Sequence, residues 1–223
     1  MTPRDSDTLP PDSMTPATPI PGNLIALDEA TRLLVRLSAV VTAGSEAEQR
    51  AAMGATANRV APVWVEELLL QSYLFAGFPR ALNAMREWRR FHPEPAVAPS
   101  DGAPDRWRAD GEQTCAVVYG TFYERLRDNI RHLHPALDEW MIMEGYGKVL
   151  SRPGLDLPRR ELCIVAACAA AGQDRQLHSH LHGALNAGVA PDVVSATLES
   201  LDGVIGADLL ETARLLWARV RGK

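Results

Sequence analysis

The chain has 223 residues, 46% of them hydrophobic and 23% charged, and its 23 basic and 28 acidic residues give a formal charge of -5. That is enough apolar material for one large core or two small ones, and the acidic balance, with no Lys/Arg run, excludes a basic nucleic-acid surface. No stretch approaches the roughly 18 to 20 uninterrupted apolar residues that cross a bilayer.

The N-terminus lacks the apolar centre of a secretory signal. Three cysteines, Cys115, Cys163 and Cys168, are too few and odd in number for a disulfide framework. The expected location is the cytoplasm, with no membrane and no nucleic acid as partner.

The sixteen prolines divide the chain. Six fall between Pro3 and Pro21, among Ser, Thr and Asp, so residues 1–22 are expected to be disordered for want of apolar surface to bury. Leu33, Leu34, Leu37, Val40 and Val41 recur at helical spacing and predict a helix over 28–42. Val63, Leu68 and Leu69 predict another over 63–75, stopped by Gly77-Phe78-Pro79. Pro93, Pro95, Pro99 and Pro104 mark 92–113 as a linker. Thr114–Tyr119 fits a strand or a helix equally well.

Residues 159–171 (RRELCIVAACAAA) are apolar almost all round, which predicts a central buried helix ended by Gly172. A helix over 174–187 follows, stopped by Gly188, and others over 191–201 and 207–220. The fold class is all-α, with a first helical unit over 23–91 and a second over 114–223.

The two units are related by an internal repeat. At an offset of 128, Leu27-Asp28 meets Leu155-Asp156, Arg32 meets Arg160, Leu34 meets Leu162 and Ala43-Gly44 meets Ala171-Gly172. One inserted residue later, Val60-Ala61-Pro62 meets Val189-Ala190-Pro191, Gly77 meets Gly206 and Trp88 meets Trp217. The second unit carries Glu161, His178, His180 and His182 where the first has Leu33, Arg50, Ala52 and Gly54. Acid/base chemistry is therefore expected in the second unit alone.

His178 and His182 stand one helical turn apart and share a face, while His180 points away. Two histidines do not complete a zinc site, and no HExxH or cysteine pair accompanies them, so no metal is expected. Solvent or interface residues is the plainer reading of both. Glu161 lies roughly 16 Å along its helix from the Gly172 turn, and His180 roughly 11 to 12 Å along the antiparallel partner. A Glu side chain spans that difference. A carboxylate beside an imidazole fixes its tautomer and makes it a proton-transfer group; a charge favouring the helix N-terminus is the alternative role for Glu161.

The run Glu139-Trp140, Glu144-Gly145-Tyr146-Gly147-Lys148-Val149-Leu150-Ser151-Arg152-Pro153-Gly154-Leu155-Asp156, Arg160-Glu161-Leu162, His180 and Ala184-Leu185-Asn186-Ala187-Gly188-Val189 resembles the carboxymuconolactone decarboxylase family of the alkylhydroperoxidase D-like superfamily. The likeness is close over about 134–206 and weak over 27–90. It implies a helical fold that assembles from copies of itself.

The superfamily's peroxidases carry a Glu, a C-x-x-C pair twelve positions on, and a His four positions after the second Cys. Glu161 and His180 fall on the Glu and His, but Gln173 and Gln176 occupy the cysteine positions. Without those thiols there is no peroxidatic thiolate; Cys163 and Cys168 read as core residues.

The decarboxylase branch needs no cysteine, metal or organic cofactor. The resemblance implies loss of CO2 from a small carboxylated lactone or similar organic acid, with His180 as proton donor oriented by Glu161. Arg152 or Arg160 would hold the substrate's anion, unless they are surface charges. Gln173 and Gln176 would donate to the lactone, or only cap a helix. The alternative function is a non-catalytic oligomeric protein of the same fold.

Overall fold

The computed structural model describes residues 24–96 and 104–222, so the expected disordered tail over 1–22 lies outside the described residues. The first series of helices is α1 (Glu29–Ala43), α2 (Glu46–Thr56), α3 (Pro62–Ala76) and α4 (Phe78–Trp88). A connecting series follows: α5 (Pro104–Tyr119), a 3-10 turn (Gly120–Phe122), α6 (Tyr123–Leu133), α7 (Pro135–Trp140) and a π-helical stretch (Met141–Leu150). The last series is α8 (Leu157–Ala170), α9 (Asp174–Asn186), α10 (Pro191–Glu199) and α11 (Ala207–Arg221). Among the described residues the only β-type pairing is an isolated bridge between Leu24 and Val189. The chain is all-α, and no described helix is long and apolar enough to cross a membrane.

Local chemistry sets the helix ends. Asp28 caps α1 by accepting from the Thr31 N–H at 2.7 Å, and Asp156 caps α8 by accepting from the Arg159 N–H at 3.0 Å. Ser45 and Glu48 close a capping box on α2. Pro62, Pro135, Pro158 and Pro191 sit in first turns, where a missing N–H breaks no bond. Of the linker expected over 92–113, residues 97–103 lie outside the described residues. Pro104 opens α5, so 104–113 is helical, and Thr114–Tyr119 continues that helix.

Twelve of the fourteen residues of α8 are buried. A helix apolar on every side needs neighbours on every side, and α1, α3, α9, α10 and α11 supply them. Side chains from both ends of the chain, such as Leu34, Leu68, Leu162 and Leu198, share one continuous core. Each contributes roughly 1.5–3 kcal/mol of burial. Ser38 ties α1 to α8 through its hydroxyl, which donates to the Cys163 carbonyl at 2.7 Å.

A buried ion network binds the first helical series to the last. Arg160 is fully buried, and its Nη2 donates to Glu67 of α3 at 2.8 Å and to the Arg152 carbonyl at 3.0 Å. Its Nε donates to the Leu155 carbonyl and its Nη1 to Gln71. Arg152 forks onto both oxygens of Glu67 at 3.1–3.2 Å from Nε and onto Oε1 at 3.0 Å from Nη2. A charge this deep persists only because every guanidinium nitrogen has a partner. Nearer the surface, Asp138 of α7 is clamped by Arg127 and Arg131 of α6. The Arg127 hydrogen bond, above all, holds its carboxyl below the usual range.

Replacing Glu67 with Ala strands Arg160 in the core and is expected to lower unfolding free energy by about 3–5 kcal/mol, read by urea denaturation. The Asp138 clamp has the opposite pH sense to a histidine pair. Its carboxyl is more acidic folded than unfolded, so its stabilisation is full above about pH 4 and fades as the pH falls through the folded value. The difference in thermal midpoint between the natural chain and Asp138→Asn is therefore expected at pH 7 and should shrink in acid.

Candidate functional site

Helices α8 and α9 are antiparallel neighbours because Gly172 adopts φ +64° between them, a left-handed turn that suits glycine. The hairpin brings His180 Nδ1 to 2.8 Å from Glu161 Oε2. Glu161 is 0% exposed and His180 6%. Glu161 lies in the second turn of α8, not the first, and Asp156 already caps that helix. The N-terminal dipole therefore gives no account of a carboxylate this deep.

With Glu161 ionised, the Nδ1–H donates to it and Nε2 is left as the working nitrogen. Nε2 has no hydrogen-bond partner among the described residues. Glu161 Oε1 is buried and likewise unpartnered there, a costly state that native cores seldom tolerate without a use.

Aromatic rings enclose the pair. Phe75 of α3 meets the His180 ring edge-on at 6.0 Å and Tyr119 of α5 at 6.5 Å, and Tyr119 meets Tyr146 of the π-helical stretch at 6.2 Å. Burial, above all, pushes both phenols well above their ordinary pKa, and the Glu161 charge adds to it. Both stay protonated donors at neutral pH.

Tyr146 reaches this position because α5 and the π-helical stretch touch backbone to backbone. A Cβ on Gly111 would strike the Ile142 carbonyl, and one on Gly147 the Trp107 carbonyl. Gly183 does the same for α9: a Cβ there would lie 2.5 Å from Glu161 Oε2 and 2.7 Å from Val118 Cγ1.

The other sequence candidates are spread out. Arg160 is enclosed in the Glu67 network, every guanidinium nitrogen bonded, so it presents no group to a ligand. This corrects its expected role in holding a substrate. Arg152 is partly exposed but is engaged by Glu67. Gln173 and Gln176 are exposed at the start of α9, and Gln173 makes no side-chain cap.

Cys115, Cys163 and Cys168 are buried free thiols. Burial pushes Cys115 and Cys168 up to about 12, with the Glu161 charge adding to it. His178 and His182, half-buried, meet edge to face at 5.0 Å on the outer side of α9.

That outer side forms one wall of a cleft of about 740 Å³, completed by the end of α5, the 3-10 turn and α6. Val118 and Tyr119 line it, and the Tyr119 ring also packs on His180. Tyr119, Tyr146 and Gly183 escape sequence reasoning.

Residues 135–219 match the profile of the Carboxymuconolactone decarboxylase family. The chain is also 30% identical over 134 residues to "Peroxisomal protein 2" of Schizosaccharomyces pombe (strain 972 / ATCC 24843). That alignment takes in 58% of this chain and 63% of the relative, so the chain spans less than two thirds of the relative's length.

Two outcomes follow for the thiols and for α9. A thiol that ionises near 12 is thiolate in about one molecule in ten thousand at pH 8. Alkylation of the folded chain is expected to label none of the three cysteines, and all three after denaturation. Gly183→Ala forces a methyl against Glu161 and Val118, and should lower stability by about 1–3 kcal/mol, measured by thermal unfolding.

Proposed function

We propose, from the match of residues 135–219 to the carboxymuconolactone decarboxylase family, cofactor-free decarboxylation, or related proton transfer, on a small carboxylated lactone or similar organic acid. The observation that carries the reading is the buried 2.8 Å bond between Glu161 and His180 Nδ1. It leaves Nε2 without a protein partner among the described residues.

In the reaction the bond between the carboxylate carbon and the ring system breaks, and CO2 departs. The released electron pair runs through the conjugated alkene into the lactone carbonyl. The protein's tasks are to stabilise that oxygen and to return a proton to carbon. The His180 imidazolium, stabilised by Glu161 through Nδ1–H, gives its Nε2 proton to carbon, and the bare Nε2 of the neutral ring left behind regains a proton from solvent. Tyr119 and Tyr146, held protonated by burial, keep the surroundings dry and uncharged.

A second reading, a non-catalytic self-associating protein of the same fold, draws on one feature. The lining of the cleft ends on Tyr119 and does not include His180. Exposed Leu133, Leu137 and Trp140 give such self-association an apolar surface in either reading. A reducing compartment, the cytoplasm, suits three buried free thiols.

The test is turnover of a carboxylated unsaturated lactone. His180→Ala is expected to lower kcat by about 10²–10⁴-fold, and Glu161→Gln to lower it less, with the helical circular dichroism of both unchanged. An unaltered rate in His180→Ala would remove the proton-transfer role and leave the scaffold reading.

A further inference from the structure

The cleft on the outer side of α9 has the size of a small-molecule site, and its chemistry is one-sided. Its about 740 Å³ falls within the range of ligand pockets. Val118, Tyr119 and Leu126 give it an apolar floor, and Phe122, 63% exposed, stands at its edge. The polar lining includes Arg125 from α6 and His178, His182 and Asn186 from α9, and no carboxylate among the described residues lines it.

Arg125 differs from its neighbours on α6. Arg127 and Arg131 are bound to Asp138, whereas Arg125 makes no ion pair or hydrogen bond among the described residues. Asn186 is anchored, its Nδ2 donating to the Val118 carbonyl at 2.9 Å. A guanidinium without a counter-ion and two imidazoles one turn apart thus line the same apolar hollow. A planar fork of donors over a dry floor suits a carboxylate on a flat hydrocarbon body.

The cleft also abuts the buried pair. Tyr119 both lines it and packs on His180. The space a Gly183 side chain would fill is bounded by Val118, a lining residue, and by Glu161.

We propose that this cleft binds a flat, apolar organic acid, with its anionic head held by Arg125 and the α9 imidazoles and its body on Val118, Tyr119 and Leu126. That the bound acid is the substrate rests on the proton-transfer reading above; binding itself does not require His180. Arg125 is then the residue that selects acids over neutral molecules of the same shape.

Calorimetric titration of the full chain with 2-naphthoate and with its neutral counterpart 2-naphthamide tests this. The natural chain should bind the acid more tightly than the amide. Arg125→Gln should weaken the acid about tenfold, the order of one charge-assisted hydrogen bond, and leave the amide unchanged. His180→Ala should bind both as the natural chain does.

Equal affinities for acid and amide, no binding of either, or an Arg125→Gln variant that holds the acid undiminished would each overturn the proposal. Should Arg125→Gln behave as expected while His180→Ala keeps full turnover, the cleft stands and the proton-transfer role falls. Should His180→Ala lose turnover while Arg125→Gln binds the acid normally, the reverse holds.

Discussion

Arg160 and Glu161 are consecutive, opposite in charge and fully buried on the central helix α8. Neither tolerates that position without a partner, because an uncompensated charge in a core costs several kcal/mol. Successive residues on a helix point about 100° apart, so the two cannot be satisfied from one side. Arg160 takes Glu67 from α3, in the first helical series, and Glu161 takes His180 from α9, in the last. One dipeptide thereby specifies which helices lie on two faces of α8. Apolar burial around α8 supplies the stability, and the two charges supply the register.

The partners differ in what they leave over. Around Arg160 every guanidinium nitrogen is bonded, and the network has nothing to offer a ligand. Around Glu161 the accounting is incomplete: Oε1 lacks a partner and so does His180 Nε2 among the described residues. Two adjacent residues thus illustrate a closed structural pair and an open chemical one. Phe75, Tyr119 and Tyr146 keep the open pair in apolar surroundings, and Gly183 lets α9 approach closely enough for the 2.8 Å contact.

Much of this was legible in the sequence, for physical reasons. Helix α8 announced itself by being apolar on every side. The Asp28 and Asp156 caps and the first-turn prolines marked helix starts. Glu161 and His180 were placed together by counting residues along an antiparallel hairpin, since a helix has a fixed rise. Arg160 was misjudged because a charged residue near a helix start reads as surface. Its partner Glu67 lies 93 residues away, beyond any local pattern. Residues 104–113 were hidden by Pro104, which opens a helix here instead of interrupting one. Tyr119 and Tyr146 could not be read, because their approach depends on α5 and the π-helical stretch meeting at Gly111 and Gly147.

The chemistry of the pair depends on where the proton of His180 sits. The imidazole nitrogens of a selectively ¹⁵N-labelled chain report it directly, by their shifts and couplings in the pH range where the ring is neutral. The expected result is Nδ1–H, bonded to the Glu161 carboxylate, with a bare Nε2, and loss of that preference in Glu161→Gln. A neutral ring protonated at Nε2, with Nδ1 accepting from a protonated Glu161, would contradict this, for Glu161 would then carry no charge to stabilise the imidazolium that gives up the proton.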